Sequence, residues 1–92
     1  MSKSILHDGE SCFLCGRKTW LEWHHVLGGV ANRKLSEKYG LKVRLCHECH
    51  VGADGAQYDS EVNLRLKQEA QCAFEQIWGH DKWMMTFRKN YL

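Results

Sequence analysis

The 92-residue chain has no proline, no internal repeat and no low-complexity segment, so nothing in it marks a linker between domains. No stretch approaches the roughly 18 apolar residues of a membrane span. The opening MSKSILHDGE lacks the apolar run of a signal peptide. The expectation is one small domain over residues 1–92, with no membrane partner and a cytoplasmic address. The 13 basic and 11 acidic residues nearly cancel, at a net +2, so the total says little about partners. A chain this short builds only a marginal hydrophobic core and calls for a covalent or metal staple.

Five cysteines are available for that purpose. Four fall in two CxxC pairs, Cys12-Phe-Leu-Cys15 and Cys46-His-Glu-Cys49. A CxxC turn brings two thiolates to one side of the backbone, and two such pairs supply the four tetrahedral ligands that zinc prefers. Disulfides suit neither the reducing compartment nor the paired spacing. The expectation is a structural zinc on Cys12, Cys15, Cys46 and Cys49, with 30 residues between the pairs. That separation implies a substantial insert rather than a minimal finger. Cys72, on a helical pattern, reads as a small core residue.

Thr19 to Leu27 is β-branched and aromatic and reads as a strand ended by Gly28-Gly29. A loop with Asn32, Arg33 and Lys34 follows, then a short turn or helix over 36–39 that stops at Gly40. Leu41 to Leu45 reads as a second strand leading into the second CxxC. Beyond it, Val62, Leu66, Ala70, Ala73, Phe74 and Ile77 recur at helical spacing, with Asp59 or Ser60 as cap and Gly79 past the end. A shorter helix from Asp81 to about Lys89 buries Trp83, Met84 and Phe87. The fold class is small α+β, with a zinc-braced core at about 12–60 and a helical tail at about 60–92.

Charge is patterned along this order. Arg33, Lys34, Lys38, Lys42 and Arg44 make the middle basic, whereas Asp54, Asp59, Glu61, Glu69 and Glu75 make the next segment acidic. A basic middle suits a phosphate backbone, and an ordinary solvated surface suits it equally. Trp20, Trp23, Trp78 and Trp83 read as core filler, with stacking on nucleic acid as the other reading.

Three histidines stand where a four-thiolate zinc does not need them: His24 and His25 side by side on the first strand, and His50 directly after Cys49. The zinc joins those elements, so the three rings can converge. Here the chain resembles the HNH endonucleases, whose treble-clef-like ββα-metal motif is often braced by zinc on two CxxC pairs. The matching stretches are CFLC, EWHHVLGG and LCHECH. It is most similar to a phage subgroup resembling RecA-dependent nucleases, through HHVLGGVANRKLSEKYGLKVRLC, LKQEAQCAFE and RKNYL.

The resemblance implies a metal-dependent DNA endonuclease, phage or prophage encoded, acting in a bacterial host on DNA and in concert with a RecA filament. It makes His25 the general base on the attacking water and His24 and His50 ligands of a catalytic magnesium, manganese or zinc ion. Because successive strand residues face opposite ways, the two adjacent histidines need a strand end or a bulge to serve one site. Arg33, Lys34, Lys42 and Arg44 become the phosphate contacts. The chain departs from the family at Leu41, where an Asn is usual, and at Gln57, where relatives carry a third metal histidine. Gln57 is then the third ligand, with Asp54 and Asp59 as substitutes. The rival readings are a non-catalytic zinc-braced DNA-binding module and a protein-binding adaptor. His7, His47 and His80 match nothing in the motif.

Overall fold

The computed structural model describes residues 4–28, 30–52 and 59–92. Its elements, in chain order, are β1 (Leu21–His25), α1 (Val30–Tyr39), β2 (Lys42–Cys46), α2 (His47–Val51), α3 (Ser60–Trp78) and α4 (His80–Phe87). The two strands form an antiparallel sheet that pairs Leu21 with Cys46, Trp23 with Arg44, and His25 with Lys42. The result is a small α+β domain around a two-stranded sheet. Among the described residues no helix is long and apolar enough to cross a membrane.

The strand β2 is covered on both edges. On its outer edge Ser4 Oγ donates to the Lys42 carbonyl, the Arg44 N–H donates to His7 Nε2 at 2.8 Å, and the Phe13 N–H donates to the Arg44 carbonyl. The N-terminal segment therefore satisfies backbone groups that β1 cannot reach, and it hides an edge that would otherwise invite pairing with another chain. Nothing in the residue pattern of that segment announces a strand partner.

The helix α1 is longer than expected, because Asn32, Arg33 and Lys34 lie inside it rather than in a loop. Its residues are mostly good helix formers, but few are apolar, so the periodic signal is faint. Its inward anchor is Ser36, fully buried, whose hydroxyl donates to the Leu27 carbonyl and accepts from the Leu27 N–H. Gly40, with φ at 72°, takes the left-handed turn that ends α1. Two of the ends of α3 are as expected: Asp59 Oδ1 accepts from the N–H groups of Glu61 and Val62, and Gly79 closes the helix.

One core runs through the domain, built from Val26, Leu27, Leu41, Val43 and Leu45 of the sheet region and Leu66, Ala70, Phe74 and Trp83 of the tail. Four apolar assignments are corrected. Cys72 is exposed, because it lies about 200° around α3 from both Ala70 and Phe74. Ile77 is exposed as well. The adjacent buried position belongs to Gln71, whose amide donates to Asn90 Oδ1 and Glu75 Oε2 and accepts from the Tyr91 N–H. Of the four tryptophans read as core filler, Trp83 is fully buried, whereas Trp78 is 40% exposed at the end of α3 and Trp20 is 78% exposed and held at φ 55° just before β1.

Candidate metal centre and histidine site

Cys12 and Cys15 flank a tight turn in which the Gly16 N–H donates to the Cys12 carbonyl, with Gly16 at φ 82°. Cys46 ends β2, and Cys49 follows on α2. The four Sγ atoms all lie within 4.8 Å of one another, with Cys15 and Cys46 at 3.6 Å. Burial opposes ionisation of Cys12, but hydrogen bonds from the backbone of Cys46, Cys15 and Leu14 outweigh it and bring the thiol down to about 6. Burial and the neighbouring thiols push Cys49 up. Cys15 also rises: its hydrogen bond from the Arg17 backbone, which lowers it, is outweighed by those shared with Cys12 and Cys46. Four thiols this close cannot all ionise without a cation among them, so the donor set fits zinc.

The histidine pair stands at the end of β1, where His25 is the last strand residue, and the register runs on without a bulge. Strand alternation is kept, and the two rings have different neighbours. His24 meets His50 of α2, with ring centroids 5.1 Å apart at 65°. The Nε2 of His24 is buried and has no hydrogen-bond partner. Burial, then the charges of His50, His25 and Lys67, lower the His24 ring to about 4, so it is a neutral imidazole through the physiological range. An orphaned imidazole nitrogen in a desolvated place is what a metal ion would satisfy.

His50 is oriented by a residue to which the sequence pattern gave no role. Glu22, two residues before His24 and on its face of the strand, lies 2.9 Å from His50 Nδ1 and 3.3 Å from His47 Nδ1. Hydrogen bonds from those two rings hold the Glu22 carboxyl below its usual range. An ionised carboxylate only accepts, so the His50 Nδ1–H donates to it, and Nε2 is the ring nitrogen left for another partner. A glutamate at i−2 from the first histidine was the available signal.

On the other face His25 Nε2 lies 2.9 Å from Glu37 Oε2 of α1. Lys42 sits directly across the sheet from His25 and is 2% exposed. Its Nζ is 2.9 Å from Glu37 Oε1 and 5.0 Å from the Trp23 ring centroid. The structure therefore places Lys42 inside the fold, away from any surface on which it was expected to meet phosphate. Arg44 is half-buried, spread over Trp23 and donating to the Gly9 carbonyl. Arg33 and Lys34 are exposed on α1.

Among the described residues the four cysteines are the group in which three or more metal-type ligands come together, and His24 and His50 form a pair. Gln57 and Asp54 lie outside the described residues. Asp59 Oδ1 is committed to capping α3. No family model, curated protein or solved structure matches the chain.

Proposed function

We propose that the chain is a zinc-braced, metal-dependent DNA endonuclease of the HNH, ββα-metal type. The observation that carries this reading is the unpartnered, buried Nε2 of His24 facing His50, whose other ring nitrogen is already taken by Glu22. The His24 ring, unpartnered at Nε2, and the His50 ring, oriented by Glu22 through Nδ1, are a half-built divalent-metal site. Gln57, as the resemblance has it, adds a neutral amide oxygen, which suits magnesium or manganese better than zinc. A bound ion would supply Lewis-acid stabilisation of the phosphate and the leaving oxygen.

The chain's own residues do the rest. His25 takes the proton from the attacking water, and Arg33 and Lys34 on the exposed side of α1 hold the phosphate backbone. The four-cysteine cluster fixes α2, and with it His50, against β1. The phage setting, the bacterial cytoplasm and dependence on a RecA filament are proposed on the resemblance in the sequence. A second reading, a DNA-binding module without catalysis, is favoured by two observations: among the described residues only two histidines converge, and unbroken strand alternation turns His25 to the other face from them.

A supercoiled-plasmid nicking assay with magnesium, manganese or zinc, with and without RecA filament, separates the readings. The wild-type protein should nick, and His25→Ala should lose on the order of 100- to 10,000-fold in rate with its fold and zinc intact. Folded, zinc-loaded wild-type protein that nicks nothing overturns the endonuclease. A gel shift then assigns the chain to DNA binding or to adaptor work.

A further inference from the structure

The cross-strand pairing of His25 with Lys42 places two groups of cationic type opposite each other on one face of the sheet. Glu37, in the last turn of α1, lies between them. Its two oxygens are divided, Oε2 at 2.9 Å from His25 Nε2 and Oε1 at 2.9 Å from Lys42 Nζ. The Gly40 turn returns the chain from α1 to β2 and so delivers Lys42 to this carboxylate only five residues after Glu37.

This arrangement goes beyond an ion pair. Lys42 is buried and makes its charged contacts with Glu37 and the face of Trp23, so its ammonium keeps the carboxylate in place and ionised. An ionised carboxylate has no hydrogen to give. The hydrogen in the His25–Glu37 bond must therefore sit on the histidine Nε2, which leaves Nδ1 with the free lone pair. We propose that Glu37, anchored by buried Lys42, is a positioning residue that fixes His25 as the Nε2–H tautomer and makes Nδ1 the atom that accepts the proton of the attacking water.

The catalytic sense of this assignment rests on the endonuclease reading, whereas the tautomer does not. At the reacting end, the water O–H bond breaks as its oxygen bonds to phosphorus and its proton passes to His25 Nδ1. The phosphorus–oxygen bond to the leaving sugar oxygen breaks with its electron pair, and that oxygen takes a proton from solvent. The Nε2–H bond to Glu37 stays intact and spreads the imidazolium charge. A bystander ion pair would hold α1 to β2 and nothing more, leaving the tautomer of His25 to solvent.

The test is nitrogen-15 NMR of the histidine side chains in the zinc-loaded protein at about pH 8, above the ordinary histidine range. In wild type His25 should show a protonated Nε2 and an unprotonated Nδ1. In Glu37→Gln, whose amide can donate as well as accept, the two tautomers should mix. Nicking in Glu37→Gln should fall on the order of 10- to 100-fold in kcat with KM for DNA unchanged, and Glu37→Asp should recover part of it. A wild-type His25 in the Nδ1–H form overturns the proposal without any variant. So does a Glu37→Gln enzyme with wild-type kcat. A wild-type protein that nicks no DNA, but whose His25 is Nε2–H, removes the endonuclease reading and leaves the tautomer assignment standing.

Discussion

His24 and His50 face each other ring to edge at 5.1 Å, and Glu22 holds the second through its Nδ1 while the first keeps a bare, buried nitrogen. Carboxylates that orient metal histidines typically contribute 10- to 100-fold in metal affinity. Glu22→Ala should therefore weaken manganese or zinc binding at this second site by that factor, leaving the four-cysteine zinc untouched. Titration calorimetry on protein already loaded with one zinc reads the difference. Equal affinities in wild type and variant would remove Glu22 from the site.

The four-cysteine cluster predicts one tightly held zinc per chain, measurable by elemental analysis. Structural zinc supplies folding free energy directly. Cys46→Ser removes a buried thiol at the junction of β2 and α2, and the variant should lose both the metal and most of its folded circular-dichroism signal. A folded, metal-free Cys46→Ser protein would show that the core suffices alone.

His7 fastens the N-terminal segment to β2 by accepting from the Arg44 N–H. Burial is the largest cause of its lowered pKa; Asp8 opposes the shift and Arg44 adds to it. Below the ordinary value of about 6.5 the unfolded chain then binds a proton that the folded one resists. Its stabilisation is complete above that value and is lost as pH falls through the folded pKa. His7→Gln can still accept from Arg44 and cannot titrate. The melting temperatures of wild type and His7→Gln should converge or cross as pH is lowered from about 7.5 to 5. Parallel curves would show that His7 does not carry this dependence.

Trp20 occupies a left-handed backbone conformation at φ 55° while most of its ring is in solvent. The conformation costs a non-glycine residue roughly 1–2 kcal/mol, and glycine nothing comparable. Part of that gain is offset by the greater freedom of glycine in the unfolded chain. Trp20→Gly should be more stable than Trp20→Ala by up to about 1 kcal/mol in chemical denaturation. The reverse order would mean that the turn before β1 draws its stability from something other than backbone ease.

The elements with a strong local signature were legible in the sequence. The cysteine spacing gave the cluster, the β-branched and aromatic residues from Thr19 to Leu27 gave β1, and the periodicity from Val62 to Phe74, with Asp59 before it and Gly79 after, gave α3. The extent of α1 was not legible, because its buried anchor is a serine. Lys42 resisted reading for a related reason: a lysine in a basic stretch looks solvated until an acidic group five residues back proves to be its partner. Glu22 carried only its i−2 spacing from His24, and Glu37 carried no pattern of its own. Their meaning comes from the strand face each shares or meets, which only the pairing of β1 with β2 and the return of α1 reveal. The N-terminal segment was silent because edge covering uses backbone groups and a few short side chains, with no repeat to detect.

Tyr39, the last residue of α1, stands edge-on to both Phe74 and Trp78 of α3, each at 5.2 Å. Phe74 in turn meets Trp83 and Phe87 of α4, and the Trp83 indole N–H donates to the Lys89 carbonyl. The two terminal helices are thus a buttress rather than an appendage. They press on the C-terminal turn of α1, the same turn that holds Glu37 against His25. Phe74→Ala, a truncation that costs roughly 3–5 kcal/mol in a packed core, would slacken that thrust at its origin. A lesion in the tail should therefore register at the end of β1 as a loosened His25 ring, because the turn of α1 that Tyr39 wedges against α3 is the turn that carries Glu37.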